Sequence, residues 1–576
     1  MNSLVNNLAN RFRTCPVTGL KVDKSAENLI KVNAVVAVVC LLIGAIAAIG
    51  LVFTRWQAFH ILPADWYYRF LTLHGLNMLI FFIIFFEMAV LYFASTVVLS
   101  SRQPAPKLGW LAFGLMMVGM VMVNAMVLTG KADVLFTSYV PLKADPLYYL
   151  GIILFAVGAL IVVSLFFASL VVAKREKTYT GSIPLVTFGG LTAAIIAVIT
   201  LLHGAAIYIP TFLWSLGLIE LDPGIYRLIF WGLGHCSQQI NVAAMVSIWY
   251  LLAGLTVGGV VLNEKISRAA FVLYIGFISM ASAHHLLVDP EFGPGWKIWN
   301  TSYAMYLAVL ASMVHGFTVP AGIEIGQRLR GHTNGLFDWL RKAPWGDPGF
   351  SGMALSIVIF GFMGGITGVT LGTEQINMIA HNTMRIPGHF HVTVVGGTAL
   401  AFMAVTYYVL PLIFQKRVSF WKLAKIQPYL FGGGIATMAV GMIFQGIFGV
   451  PRRHWDITFK NAPFNVEFHP SVEIFQAVMG IGGTIAAIGA LAFIAIAVAS
   501  VFFGKTITAD DLKNGASGLP QGVLKLPPQV YSGANVAAVH EAGAKGTMVL
   551  VFIFLAAFVL YFFVNWKILS FIWKIG

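Results

Sequence analysis

The chain has 576 residues, of which 59% are hydrophobic and 10% charged, and its formal net charge is +14. A typical soluble domain is about 45–50% apolar and about 25% charged. This composition therefore excludes a soluble globular enzyme, a disordered chain and a nucleic-acid-binding module. The positive charge needs no acidic partner, because the Lys and Arg residues of a membrane protein collect in its cytoplasmic loops.

Thirteen apolar runs, each long enough to cross about 30 Å of hydrocarbon, recur along the chain. They cover approximately residues 29–53, 70–98, 108–130, 147–173, 185–213, 225–262, 268–288, 298–321, 349–371, 386–415, 427–450, 471–503 and 546–572. We therefore predict an all-α polytopic membrane protein with about 13 transmembrane helices. Its parts are an N-terminal tail (1–28), a twelve-helix core (29–503), a loop rich in Gly, Pro and charged residues (504–545) and a thirteenth helix (546–576).

The charges in the connections predict the orientation. Lys and Arg residues concentrate in the N-terminal tail and in every second loop, for example Arg102, Lys174 and Lys265. The other loops are richer in Asp-Pro pairs, Tyr and Trp. Under the positive-inside rule, the N-terminus and the 504–545 loop are cytoplasmic and the odd-numbered helices run outward.

Six histidines fall in one layer near the outer ends of four predicted helices. They are His74 in the second helix, His235 in the sixth, His284 and His285 at the end of the seventh, and His389 and His391 near the start of the tenth. A single intramembrane His is usually a polar group satisfied by a neighbour, but chance does not place six in one layer. Because ionisable groups at this depth are costly, clustered imidazoles indicate a metal or haem site.

The spacing of these histidines separates them into three sites. His389 and His391 leave their helix about 200° apart, so they face two different ligands. His391 with His74 opposite would hold a six-coordinate, low-spin haem, whereas His389 alone would leave an open face for a small gas. The adjacent His284 and His285 can share one metal at a fraying helix end, with His235 completing a three-imidazole site for copper or iron.

Two arginines, Arg452 and Arg453, follow the eleventh helix at the level of the predicted iron sites. An Arg pair in an outer loop is usually part of a solvated face. At this level we predict instead that both bind haem propionates through bidentate hydrogen bonds, with His381 as a further contributor.

The residues resemble subunit I of the haem-copper oxygen reductase superfamily, specifically its B-type branch, from about residue 60 to 460. The matching stretches are Leu73-His74-Gly75, Tyr139-Val140-Pro141-Leu142-Lys143, Trp214-Ser215-Leu216-Gly217-Leu218, His284-His285 with Asp289-Pro290, His381-Asn382-Thr383 with Pro387-Gly388-His389-Phe390-His391, and Gly449-Val450-Pro451-Arg452-Arg453. The resemblance implies the haem-copper oxidase subunit I fold and a catalytic core at 29–503. It also implies the ligand roles predicted above from geometry.

One departure from the family pattern changes the expected reaction. Oxygen reductases of this branch read His-Pro-x-Val-Tyr in the sixth helix, and the Tyr is cross-linked to the metal-binding His. This chain reads His235-Cys236-Ser237-Gln238-Gln239. Splitting dioxygen takes four electrons at once, one of them from that tyrosine, and Gln239 cannot donate an electron.

The position of Tyr274 in the sequence does not make it a substitute for the missing tyrosine. Tyr274 lies ten residues before His284, about 15 Å along a helix. Nitric oxide reductases of the superfamily also lack the tyrosine, because joining two NO molecules and removing one oxygen takes only two electrons. We therefore predict a nitric oxide reductase, with a terminal oxidase that reduces O2 as the alternative. A transporter is disfavoured because we see neither inverted repeats nor broken helices.

Within this prediction, the role of Gln239 has two interpretations. It either hydrogen-bonds an N–O intermediate or only fills the space of the tyrosine. The second metal is copper in our preferred interpretation, since no Glu lies near His235 in the sixth helix, although nitric oxide reductases of the family use iron.

The resemblance also implies partners and a location. The chain contains no cupredoxin or haem-attachment motif, so the resemblance implies a small second subunit with an outer-side cupredoxin-like domain. Its electron donor would be cytochrome c, a cupredoxin or quinol. The expected location is a bacterial or archaeal plasma (inner) membrane.

Few polar residues lie on the helices along which protons would enter from the inner side. The sixth and eighth helices offer only Tyr250, Ser312, His315 and Thr318, so the sequence does not support a proton pump. His315 and Glu87 each have two interpretations, as a proton relay or as a buried group satisfied by a neighbour.

Overall fold

The computed structural model describes residues 11–16, 19–290, 292–460, 462–464, 466–520, 541 and 543–572. Within them, twelve helices are long and apolar enough to cross a membrane. They are α1 (Lys24–Arg55), α2 (Ala64–Val97), α3 (Pro106–Leu128), α4 (Pro146–Arg175), α5 (Leu185–Ser215), α6 (Pro223–Val257), α8 (Pro294–Leu329), α9 (Pro348–Leu371), α10 (Arg385–Phe414), α11 (Trp421–Ile447), α12 (Ser471–Phe503) and α13 (Lys545–Ile572), with α7 at 264–286 between α6 and α8.

The segment α7 is less regular than the predicted seventh helix, although it covers nearly the same residues. It is α-helical over Glu264–Leu273, π-helical over Tyr274–Ile278 and 3₁₀-helical over Ala281–Leu286. For this reason it is not among the twelve long helices. The 3₁₀-helical end of α7 carries His284 and His285. This agrees with the irregular helix end that the sequence predicted.

The first helix begins at Lys24 rather than near residue 29. The Asp23 carboxylate accepts hydrogen bonds from the backbone N–H groups of Ser25 (2.9 Å) and Ala26 (3.0 Å), which caps the helix. Before it, strands β1 (Phe12–Thr14) and β2 (Lys21–Asp23) form an antiparallel hairpin. The apolar run alone predicted too short a helix, because the first turn of α1 is polar and lies outside the run.

Wide π-helical turns interrupt the helices beside the predicted sites. One follows His74 (Leu76–Phe82), one begins at His391 (His391–Ala399) and one precedes residue 367 (Ile359–Gly365). Such turns are frequent at functional sites, because they shift the helical register of the side chains that follow.

Helices α11 and α12 approach each other closely through small residues. A Cβ atom at Gly434 would collide with the backbone of Ala486, and one at Gly482 would collide with the backbone of Met438. This contact helps to close a bundle that encloses a cavity of about 800 Å³.

The connection before α13 is partly described. A short helix, Ala509–Asn514, begins with a capping box at Thr508, and residues 521–540 and 542 of the predicted 504–545 loop lie outside the described residues. The buried Glu324 of α8 accepts hydrogen bonds from the backbone N–H groups of Gly546 (3.0 Å) and Thr547 (2.6 Å) and pairs with Arg328 (2.8 Å). It thereby caps and anchors α13.

Candidate haem and metal centre

The imidazole rings of His74 and His391 face each other across the cavity. Their planes are 9° apart and their centroids 6.3 Å apart. The Nδ1 atom of His74 lies 3.0 Å from the carbonyl oxygen of Gly44, and that of His391 lies 2.7 Å from the carbonyl oxygen of Pro387. Since a carbonyl oxygen only accepts, both Nδ1 atoms must donate, which leaves Nε2 of each ring available to a ligand.

The spacing of this pair fits a shared metal. Two metal–nitrogen bonds of about 2 Å, with about 1 Å from each nitrogen to its ring centre, span about 6 Å. The parallel imidazoles are at this separation, with centroids 6.3 Å apart. A haem iron with two axial histidines therefore fits between His74 and His391.

His389 lies on the same helix but is held separately. Its Nδ1 atom is 2.9 Å from Thr367 Oγ1, and this hydroxyl donates to the carbonyl oxygen of Gly364 at 3.0 Å. The hydroxyl therefore accepts the Nδ1 proton and leaves Nε2 of His389 as the ligand atom. Gly368 leaves room for the ring, because a Cβ atom there would lie 3.0 Å from Cε1 of His389.

His235, His284 and His285 form a compact group of three imidazoles. One ligand nitrogen from each ring lies within 4.8 Å of the other two, and His235 Nδ1 is 3.1 Å from His285 Nε2. Three neutral imidazoles at this spacing suit copper, iron or zinc. The predicted three-imidazole site thus has the geometry of a metal site.

Trp231 is a contributor that the sequence analysis missed. Its ring stacks on His285 with centroids 3.8 Å apart and planes 5° apart. Trp231 precedes His235 by four residues, so both lie on one face of α6. This spacing was the signal that could have identified it.

Gln239 lies one turn after His235 and lines the cavity. Its Nε2 atom is 3.4 Å from His235 Nε2, and among the described residues its buried Oε1 atom has no hydrogen-bond partner. An amide therefore occupies the position next to the three-imidazole group.

Two tyrosines of the described chain line the same cavity, Tyr67 and Tyr274. The hydroxyl group of Tyr274 is 3.1 Å from Ser312 Oγ of α8. The predicted separation of Tyr274 from His284 along the helix stays a prediction, and Tyr274 lies on the wall of the cavity that His284 also lines.

Arg452, Arg453 and His381, the residues predicted to bind propionates, all line the cavity. Arg452 donates to Asn382 Oδ1 at 3.3 Å, and its buried Nε atom has no partner within the described part of the chain. Burial and the neighbouring Arg453 lower the pKa of Arg452 to about 9. Burial and the charge of Arg452 lower the pKa of His381 to about 3. This cationic wall, with an orphaned guanidinium donor, suits anionic propionates.

A third arginine, Arg227, adds to this wall and was not predicted. It pairs with Asp289 at 2.8 Å, and its guanidinium lies 5.3 Å from the centre of the Tyr139 ring. Arg453 contacts the same ring at 5.6 Å. The Asp289-Pro290 and Tyr139 motifs noted in the sequence therefore meet at the arginine cluster.

The polar residues of α6 and α8 form a connected group. The Tyr250 hydroxyl lies 2.6 Å from Thr318 Oγ1 and 3.0 Å from both His315 Nδ1 and Ser267 Oγ. His315 is not an isolated base, since it shares this hydroxyl. Its buried Nε2 atom has no hydrogen-bond partner among the described residues.

Comparison with known proteins supports the same family. The model of the cytochrome c and quinol oxidase polypeptide I family matches residues 28–485. The chain is 31% identical over 394 residues to cytochrome c oxidase subunit 1 of Thermus thermophilus, covering 67% of this chain and 69% of that protein. It is 25% identical over 425 residues to cytochrome c oxidase polypeptide 1 of Halobacterium salinarum, covering 67% of this chain and 65% of that protein.

The fold is also similar to that of a solved structure described as a haem-copper terminal oxidase dimer. The TM-score is 0.79 at 25% sequence identity, and the match covers 93% of this chain and 92% of that one. The family model spans most of the chain, and the fold agrees over nearly all of it. The chain therefore belongs to the cytochrome c and quinol oxidase polypeptide I family. This family comprises the haem-copper oxidase catalytic subunits, whose members carry haems and a binuclear metal site.

Proposed function

We propose that the chain is the catalytic subunit of a membrane nitric oxide reductase. In this reaction two NO molecules, two electrons and two protons give one N2O and one water. The observation that carries the proposal is Gln239, which stands one turn after His235 where the related oxygen reductases are expected to have a tyrosine. An amide supplies hydrogen bonds but no electron, and the two-electron reaction needs no such donor.

We assign the cofactors to the residues whose geometry fits them. His74 and His391 would hold the low-spin haem and His389 the high-spin haem. His235, His284 and His285 would hold the second metal, with copper favoured over iron because α6 has no Glu near His235. When bound, these centres supply electron transfer and Lewis-acid binding of the gas.

The side chains around the cavity have separate tasks in this proposal. Gln239 places its amide Nε2 beside His235, and its buried Oε1 has no partner among the described residues, so this side chain would orient a polar N–O species. Trp231 fixes the plane of His285 and excludes water from one side of it. Arg452 and Arg453 neutralise the propionates, with His381 beside them.

Proton supply has a candidate route through α6 and α8. The group formed by Tyr250, His315 and Thr318 lies on the predicted inner side of Tyr274 and Ser312, which line the cavity. Hydroxyl and imidazole groups in mutual contact are able to pass protons. Electrons would come from cytochrome c, a cupredoxin or quinol through a small second subunit with an outer-side cupredoxin-like domain.

The proposal is tested by anaerobic turnover of the reduced, purified complex with NO, with N2O measured as the product. We expect one N2O for every two electrons consumed. Gln239→Leu removes a hydrogen bond of about 1–3 kcal/mol, so turnover should fall about 10- to 100-fold. Absence of N2O formation by the wild-type protein would overturn the proposal, and unchanged turnover in Gln239→Leu would reduce Gln239 to a space-filling residue.

Reduction of O2 to water is the second candidate. It is favoured by the names of the relatives and by Tyr274, the tyrosine of α7 that lines the cavity. Tyr274→Phe separates the two candidates, since it removes only the hydroxyl group. An oxygen reductase that uses Tyr274 as its electron donor would lose O2 reduction in Tyr274→Phe but retain more of it in Ser312→Ala, which interrupts the same proton route and keeps the tyrosine.

A further inference from the structure

We propose that Arg385 is a buried cation that raises the reduction potential of the haem assigned to His389. Arg385 is the first residue of α10 and is 0% exposed. An arginine near the end of a membrane helix usually extends its guanidinium group to water. Since Arg385 has no exposed surface, its charge acts inside the protein, where electrostatic interactions are stronger than in water.

No acid neutralises Arg385 within the described ranges. Arg385 takes part in none of their ion pairs, and its Nε and Nη1 atoms have no hydrogen-bond partner there. The groups that face it are neutral hydroxyls. Its Nη2 atom donates to Thr370 Oγ1 at 3.2 Å, and Tyr561 of α13 lies beside the guanidinium group. Because arginine stays protonated in proteins, this position carries an uncompensated positive charge.

Two links connect this charge with the ligand histidine of the high-spin haem site. Arg385 precedes His389 by four residues, so both side chains lie on one face of α10, and the charge of Arg385 acts on His389. The second link runs through α9. The Thr370 hydroxyl donates to the carbonyl oxygen of Thr367 at 2.8 Å, and the Thr367 hydroxyl lies 2.9 Å from His389 Nδ1. The guanidinium group is therefore hydrogen-bonded to the same turn of α9 that orients His389.

Both links favour the reduced haem. Reduction lowers the charge of the haem by one unit, so a nearby fixed cation favours the ferrous state over the ferric state. His389 Nδ1 donates to a neutral hydroxyl rather than to a carboxylate, which would make the imidazole more basic. Helix α11 keeps the cation in place, because a Cβ atom at Gly446 would collide with the backbone of Arg385. A raised potential favours electron transfer to this haem from the low-spin haem.

This inference rests on the proposed assignment of the high-spin haem to His389, and it holds whether NO or O2 is reduced. The test is an anaerobic redox titration of the purified complex, with the two haems resolved by their absorption spectra. In Arg385→Met, a unit charge about one helical turn from the ligand is lost at an effective dielectric constant of about 20, which changes an equilibrium constant about tenfold. We therefore expect the high-spin potential to fall by about 59 mV, the one-electron equivalent of that factor. The low-spin haem should shift less, since His391 leaves the opposite face of α10.

Four further variants separate the charge from packing. Arg385→Gln is a second neutral variant and should lower the potential as Arg385→Met does, whereas Arg385→Lys keeps the charge and should retain most of the potential. Thr370→Val removes the hydrogen bond but keeps the charge, so its shift should be smaller. Lys297→Met is the matched control for a lost cation and should change little, because Lys297 is partly exposed and pairs with Glu374 at 3.5 Å.

The outcomes distinguish this inference from the proposed function. Equal high-spin potentials in the neutral variants and in Arg385→Lys would overturn the role of Arg385, since a purely structural residue would not move the potential through its charge. A wild-type complex that binds no high-spin haem would overturn both the assignment of His389 and this inference. Absence of N2O formation together with the expected shift would overturn the proposed reaction and support the role of Arg385.

Discussion

The hydrogen bond between Thr367 and His389 should control retention of the high-spin haem. Thr367→Val has nearly the same shape but loses the hydroxyl group that lies 2.9 Å from His389 Nδ1. The buried Nδ1–H group then loses this acceptor, at a cost of about 1–3 kcal/mol. Groups that orient a metal-binding histidine typically contribute about 10- to 100-fold to affinity, so we expect the high-spin haem to be bound that much more weakly.

The assay compares two haems in one preparation. The high-spin haem is quantified by its spectral change with carbon monoxide, and the low-spin haem serves as the internal reference because Thr367→Val does not touch His74 or His391. Thr367→Ser is the matched control, since it keeps the hydroxyl group. Equal high-spin haem occupancy in Thr367→Val and Thr367→Ser during dilution or competition would refute the assigned role of the Thr367–His389 hydrogen bond.

Two further substitutions test the bundle and the metal site. Glu324→Gln weakens the cap of α13, where the carboxylate accepts hydrogen bonds of 2.6 and 3.0 Å from backbone N–H groups. Limited proteolysis before α13 should therefore become faster. Glu264→Gln is the control and should change the cleavage rate little, because Glu264 forms an equally spaced but partly exposed pair with an arginine. Trp231→Leu removes the ring stacked on His285 and should lower the content of the second metal about tenfold at limiting metal concentration, whereas Trp231→Phe should retain most of it.

The proteolysis prediction fails if both glutamate variants are cleaved at the wild-type rate. The metal prediction fails if metal analysis finds equal occupancy in the two Trp231 variants. Either result would show that the contact in question contributes packing alone.

The sequence located the histidines because two simple rules apply to them. Ionisable residues are rare in membrane helices, and helical periodicity places His389 and His391 on different faces. These rules depend only on positions within one helix. They were sufficient to predict the grouping of His74 with His391 and of His235 with His284 and His285.

Contacts between helices could not be predicted in the same way. The Thr367–His389 bond, the Tyr250–His315 contact and the Glu87–Asn241 contact each join two helices. Their formation depends on the vertical register of the helices, which the hydrophobic pattern does not specify.

Local chemistry explains the errors at the segment ends. The polar first turn of α1 is stabilised by the Asp23 cap rather than by hydrophobicity. The seventh segment changes from α to π to 3₁₀ conformation along its length, and Tyr274 is the first residue of its π-helical part. An ideal helix of about 1.5 Å per residue predicts neither effect.

Parallel turnover of one reduced preparation with NO and with O2 separates the two candidate reactions most directly. We expect rapid formation of N2O and negligible uptake of O2, since the proposed reaction needs no electron from the side chain at Gln239. Rapid O2 uptake with little N2O would contradict this expectation. Loss of that uptake in Tyr274→Phe but not in Ser312→Ala would then identify Tyr274 as the substitute donor.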